Sequence, residues 1–275
     1  MRVSIVIPAC EAQATILRAV AGLTAQGHSD WRAVIVSDDL FDYEAFLRGT
    51  MSPEPRLAYA STGRVRSGCH NARNVGFALI DGDFVTQLDA DDEFTPSRLA
   101  ELLPLASRYG AAADNLAIVD DATGAPLSRP MAAFDGATSL DLTAFLKLNA
   151  PLVPLVARRF AGPRAAGVEL SEDVIANIQL IDKIGALPVL GRASYVYRVR
   201  SGSIAHADDS AARFEAAYSD YVARLESGDG FGLAPRARSE TKRGLLAKRT
   251  LNRAFDAAHK LEPSLNFQEF AARFV

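Results

Sequence analysis

Apolar and polar positions along this chain fall into blocks whose period switches between strand and helix. Val3 to Ala9 is an apolar, β-branched run that closes with Pro8 and Ala9, as expected of a strand buried on both faces. From Ala12 to Ala25, residues Ile16, Leu17, Val20, Leu23 and Thr24 recur at helical spacing. Trp31 to Ser37 predicts a second strand, ending at Asp38 and Asp39, and Arg56 to Ala60 a short third one. Gly68 to Ile80 predicts a helix with Ala72, Val75, Gly76 and Leu79 on one face. Phe84 to Leu88 predicts a further strand, and Pro96 to Tyr109 a helix with proline near its first turn. This alternation predicts parallel strands covered by helices.

Beyond about residue 110 the alternation loosens. Strands are expected at Asn115–Val119, Leu152–Ala157 and Ala193–Arg200. A short helix is expected at Asp141–Leu148, and a longer one at Ser171–Ile184, opened by Ser171, Glu172 and Asp173. Acidic residues suit that end, where the helix dipole and free N–H groups favour negative charge. From Ser210 the pattern is helical, interrupted by SGDGFGLAP. Pro235 to Lys260 carries eight Lys or Arg against two acidic residues, with an apolar stripe of Leu251, Ala254, Phe255, Ala258 and Leu261. Such a helix either lies on an anionic membrane surface or packs on its own domain with a solvated basic face.

Composition bounds the class. With 275 residues, 49% hydrophobic and 23% charged, the chain is long enough for one large α/β unit or two small ones. A net charge of −3 gives no sign of a nucleic-acid partner. Cys10 and Cys69 are too few for a metal cluster, and two free thiols fit a reducing compartment. The opening MRVSIVIPAC has none of the features of a secretory signal, and no apolar run approaches the length of a membrane span. A cytoplasmic location is therefore expected, with the inner face of the cell membrane open to the basic C-terminal helix.

The stretch FVTQLDADDEF carries the densest chemistry. An apolar run ends in Asp89, Asp91, Asp92 and Glu93. Four neighbouring carboxylates repel one another and cost stability unless a cation, or a ligand carrying one, compensates them. In open α/β sheets ligands bind off the carboxyl ends of strands. Asp89 and Asp91, two apart, share one side of an extended segment. Oxygen ligands suit magnesium or manganese, which keep waters and substrate phosphates in their shell. The plainer reading is a solvated acidic turn capping the next helix.

Several separated segments together resemble a bacterial family 2 glycosyltransferase with the GT-A fold: SIVIPAC at the start, VSDD after the second strand, GCHNARNVGFALIDGDFVTQLDADDEF, SED at Ser171–Asp173, and YRVRSGSIAH from Tyr197 to His206. The resemblance implies a mixed, mostly parallel sheet flanked by helices, over residues 1–206, with a helical extension at 207–275. Residues 1–110 would form the nucleotide-binding half and 111–206 the acceptor-binding half. It implies that Pro8 and Ala9 line the nucleoside and that Asp39, with Asp38 beside it, meets the base. Arg73 would lie near the diphosphate, and Asp89 near the ribose or the metal shell. Asp91 would ligate manganese or magnesium directly, Asp173 would be the general base, and His206 would contact the metal or a phosphate.

The sequence departs from the family pattern at the nucleoside pocket. Cys10 and Glu11 stand where Tyr-Asn is common, and Leu40 and Phe41 where a small residue and Ser are usual. Glu11 would either repel the diphosphate or contact the ribose. The expected function is inverting transfer of a sugar from a nucleoside-diphosphate donor, UDP first and GDP second, to a glycan or lipid-linked acceptor. A non-catalytic nucleotide-sugar-binding protein of the same fold is the alternative. A phosphohydrolase of the haloacid dehalogenase type would place its paired aspartates after the first strand, which this chain does not.

Overall fold

A computed structural model of the protein describes residues 1–148, 152–200, 210–262, 265, 267 and 270. The first half is a parallel βα succession: β1 (Val3–Ala9), α1 (Ile16–Thr24), β2 (Trp31–Ser37), α2 (Tyr43–Thr50), β3 (Leu57–Ser61), α3 (Cys69–Leu79) and β4 (Phe84–Gln87). The second half runs β5 (Glu93–Phe94), α4 (Arg98–Tyr109), β6 (Ala111–Asp120), β7 (Pro126–Ser128), β8 (Ala137–Leu140), α5 (Leu142–Lys147), β9 (Leu155–Ala157), α6 (Glu172–Ile184) and β10 (Leu187–Val199). Helices α7 (Ser210–Ser227) and α8 (Pro235–Leu261) follow, with a 3-10 turn at Gly230–Gly232 between them.

One sheet carries the molecule, in the order β3-β2-β1-β4-β9-β6-β10-β5, with β7 on β6 and β8 on β10. The long ladders, β1–β2 and β6–β10, are parallel, and the antiparallel ones at β9, β5, β7 and β8 are short. Alternation along β1 feeds two layers. Val3, Ile5 and Ile7 join the core that holds α1 and α4, while Val6 joins the core under α3. A further core gathers α5, α6, α7 and α8 against Ala111, Ala113, Leu187 and Val189.

Pro8 shapes the mouth of this sheet. The Val6 carbonyl accepts from Leu88 N–H, so residue 8 also faces β4. Proline has no N–H to offer there. β4 pairs with β1 over Val3–Val6, and Pro8 pairs with β2 alone. The two strands part at the level of the acid turn, leaving a crevice at their carboxyl ends. Two helix glycines let α3 and α1 pack closely on the strands. A Cβ on Gly76 of α3 would collide with Val6, and one on Gly22 of α1 would lie 2.9 Å from the Phe94 carbonyl oxygen.

The structure lengthens β6 and β10 toward their N-termini, because buried alanines at 111–113 and Leu187–Val189 pair there. It adds β5, β7 and β8, which have no sequence signal: β5 is two residues long, and β7 and most of β8 are solvent-facing.

Candidate functional site

Asp38 and Asp39 leave β2 at its carboxyl end and hold different loops. Asp38 is buried and accepts from Thr62 Oγ1 (2.8 Å), Ser67 N–H (3.1 Å), Ser67 Oγ (2.5 Å) and Gly68 N–H (3.0 Å). It thereby fixes the approach to α3. Asp39 accepts from Glu11 N–H (2.6 Å), Ser37 Oγ (3.0 Å), Phe41 N–H (3.1 Å) and Tyr43 OH (3.0 Å). Burial alone would raise its carboxyl, but those hydrogen bonds hold it below the usual carboxylate range. The helix near Tyr43 is capped by Asp42, which accepts from Ala45 N–H at 2.9 Å, and not by the pair before it. Pro8 and Ala9 line the floor beside them, and the Ala9 carbonyl accepts from Asp38 N–H at 2.8 Å. Glu11 reaches outward to Arg66, 2.7 Å away. Glu11, Leu40 and Arg66 all have left-handed backbone, at φ 53°, 60° and 53°. Strain of this kind concentrates at ligand-binding positions.

The acid turn differs from the sequence expectation in one respect. Its compensation comes from arginines of the chain itself. Arg73 holds Asp89 at 2.5 Å, Arg200 holds Asp91 at 2.5 Å, and Arg198 holds Glu93 at 2.7 Å. Arg18 donates to the Asp91 carbonyl (2.6 Å) and pairs with Asp121 (2.8 Å). Asp92 is buried and accepts from Tyr195 OH (2.7 Å) and Arg198 N–H (2.8 Å). Burial, with the charges of Asp89 and Asp91, still pushes Asp92 well up, and burial with Asp89 raises Asp91. Arg198 and Arg200 sit two apart at the end of β10, beside β5. Both stand in the YRVR opening of the segment from Tyr197 to His206, where their two-residue spacing puts them on one side of an extended strand.

The start of α6 closes the site. Buried Glu172 pairs with Arg73 and, at 2.6 Å, with Arg164. Arg164 also donates to Gln87. Burial foremost, and then the neighbouring Arg73, lowers the Arg164 guanidinium to about 10. Asp173 is half-buried beside these groups. Burial raises its carboxyl, with Arg73 and Arg164 opposing. Asp89, Arg73, Glu172 and Asp173 thus come together from three distant segments. Arg164 joins them with no signal in the sequence, and Glu172, expected only as a helix-end charge, lies between two arginines. A cavity of about 270 Å³ adjoins Asp173 and follows one face of α6 through Ala176, Asn177 and Leu180 to Lys183.

His206 lies outside the described residues. Among the described residues no three His, Cys, Asp or Glu side chains are grouped to cage a metal ion. An open site still fits. Seven carboxylates (Asp89, Asp91, Asp92, Glu93, Asp121, Glu172, Asp173) face five guanidinium groups (Arg18, Arg73, Arg164, Arg198, Arg200), leaving two formal negative charges. Magnesium-like ions need only one or two carboxylates when phosphate oxygens and water complete the shell.

Residues 4–138 match Glycosyl transferase family 2. The succinoglycan biosynthesis protein ExoO of Rhizobium meliloti (strain 1021) is 29% identical over 217 residues, covering 74% of this chain and 62% of that protein. A GalNAc(5)-diNAcBac-PP-undecaprenol beta-1,3-glucosyltransferase of Campylobacter jejuni is 27% identical over 108 residues, 38% of this chain and 35% of that one. The chain therefore spans less than two thirds of the length of these curated relatives. The crystal structure of S. aureus TarS 1–349 in complex with UDP-GlcNAc superposes with a TM-score of 0.73 at 16% identity, over 98% of this chain and 78% of that one. That similarity is one of fold.

Proposed function

We propose, from the match of residues 4–138 to glycosyl transferase family 2, that the chain inverts the anomeric centre of a nucleotide-sugar as it passes the sugar to a hydroxyl acceptor. A UDP-sugar is the preferred donor, and the fold shared with a UDP-GlcNAc-bound structure supports it. The observation that carries the reading is the joining of Asp89 to the start of α6 through Arg73, with Asp173 beside the junction. It supports reading Asp173 as the base, beside groups that would meet a diphosphate.

The roles divide by element. Residues 1–110 take the nucleotide and 111–206 present the acceptor side, while α7 and α8 of the C-terminal extension form a helical layer behind it. Pro8, Ala9 and Glu11 line the nucleoside end. A carboxylate has about four acceptor positions, and Asp39 already receives four donors, so its part is to fix the backbone of Glu11 and Phe41. Arg73 stabilises the departing diphosphate. A divalent cation, manganese or magnesium, held by Asp91 and Asp89 would offset charge on the leaving group. Asp173 accepts the proton of the acceptor hydroxyl as that oxygen attacks the anomeric carbon from the opposite face. The cavity along α6 gives the acceptor an approach to it.

The acceptor is a glycan or lipid-linked glycan of bacterial polysaccharide or glycoconjugate assembly, in keeping with the names of the relatives. No helix among the described residues is long and apolar enough to cross a membrane. Peripheral contact through α8 would compete with the helix's own ion pairs. Seven of its eight cations have intramolecular partners, which leaves Arg243 uncommitted among the described residues. Turnover of a nucleotide-sugar panel with manganese, with release of nucleoside diphosphate as readout, tests the reading. Asp173→Asn is expected to lower transfer by roughly a hundred- to ten-thousandfold while UDP still binds. Donor binding by the natural chain without any turnover would favour the non-catalytic alternative.

A further inference from the structure

Five guanidinium groups surround the acid turn, and four of them are doubly engaged. Arg73 holds Asp89 and Glu172; Arg164 holds Glu172 and Gln87. Arg198 holds Glu93 and lies 3.7 Å from Asp121, and Arg18 holds Asp121 and the Asp91 carbonyl. Arg200 differs. Among the described residues its single partner is Asp91, its side chain is 39% exposed at the rim, and its Nε is shielded from water with no acceptor. A guanidinium carries five N–H donors in a planar fork suited to two oxygens of a phosphate, and most of that capacity is unspent here. The carboxylate it holds, Asp91, is the one read above as a metal ligand.

We propose that Arg200 is a donor-binding residue held in reserve: it neutralises Asp91 while the site is empty and passes to the diphosphate when a nucleotide brings a divalent cation to that carboxylate. This rests on the nucleotide-sugar reading above and adds to it a residue and an order of events. The exchange conserves charge pairing. Asp91 trades a monovalent guanidinium for a divalent ion, and the guanidinium trades a carboxylate for a phosphate, to which it can bond bidentately. Two consequences follow. Metal alone must compete with Arg200 for Asp91 and binds weakly. Nucleotide and metal together bind far better than either does singly.

The test measures binding of Mn2+ alone by the loss of its free-ion spin-resonance signal, and of UDP by calorimetry with and without Mn2+. It compares the natural chain with Arg200→Gln and Arg200→Lys. Removing a charge-assisted contact changes an equilibrium constant by about tenfold. Arg200→Gln should therefore bind Mn2+ alone about that much more tightly than the natural chain, and UDP with Mn2+ about that much more weakly. Arg200→Lys keeps the charge and should bind Mn2+ alone as weakly as the natural chain, a pattern that loss of folding cannot mimic. If Arg200→Gln binds Mn2+ alone no better than the natural chain, the proposal is overturned while the nucleotide reading stands. If the natural chain binds no UDP in either condition, both are overturned together.

Discussion

Leu40 shows how one side chain reports on a site. It stands at φ 60°, where an L-residue is strained, and it is 59% exposed, so little packing offsets the strain. Leu40→Gly should raise unfolding stability by about 1 kcal/mol, read as a higher Tm or a denaturant midpoint shifted without a change in slope. Equal or lower stability would show that Leu40 makes contacts that outweigh its backbone. The departure of Leu40 and Phe41 from the family pattern was visible in the sequence, but its form was not, because a backbone dihedral leaves no mark in composition. Asp89, Arg73 and Asp173 were legible because each stands in a compact motif. Glu172, adjacent to Asp173, looked like a helix-end charge, and only the fold shows two arginines converging on it. Asp173 also carries a pH signature. Since burial raises its carboxyl and a base must be ionised, the acid limb of the transfer profile should lie above the ordinary aspartate range. An acid limb at or below that range would remove it as the base.

Elements with a clean period were readable, and the paired ones were not. β1, β2, α3, α4 and α6 lie within a few residues of their expected places, since each buries a continuous run or one helical face. α7 and α8 were expected as helices, but their charges conceal a specific junction. Arg249 and Arg253 of α8 both pair with Glu215 of α7. Hydrogen bonds from the two arginines draw the Glu215 carboxyl down to about 2 from an ordinary 4.5. A carboxyl depressed in the folded state contributes stability above its unfolded value and loses it as pH falls toward the folded one. The α7–α8 pair should therefore weaken between about pH 4.5 and 2. Thermal melts across that range should show a smaller acid-induced loss for Glu215→Gln than for the natural chain. Identical pH slopes would mean the junction is energetically idle, as many exposed ion pairs are.

At the scale of the molecule, the second half of the sheet is braced by a pair that no motif announced. Arg98, at the start of α4, and Asp114, in β6, are both fully buried and 2.8 Å apart. Arg98 also reaches the Val153 carbonyl beside β9, and Asp114 accepts from Ser194 N–H and Oγ in β10. Removing one member of a buried pair strands the other charge, so Asp114→Leu should cost about 3–5 kcal/mol, measured by denaturant unfolding. A cost below about 1 kcal/mol, the range of an exposed pair, would show that water reaches the brace. Spacing along the chain cannot reveal such a pair, because its partners meet only once β6, β9 and β10 are aligned.

Gly22 has a consequence beyond its helix. α1 faces solvent on one side and meets the acid turn through Arg18, and at Gly22 its backbone lies against Phe94, five residues after Asp89. A methyl added there has nowhere to go except into the strand that carries the acid turn. The first helix works as a fixed stop behind the acid turn, so a change as small as Gly22→Ala would act as a distal lesion, displacing those carboxylates from behind the strand that carries them.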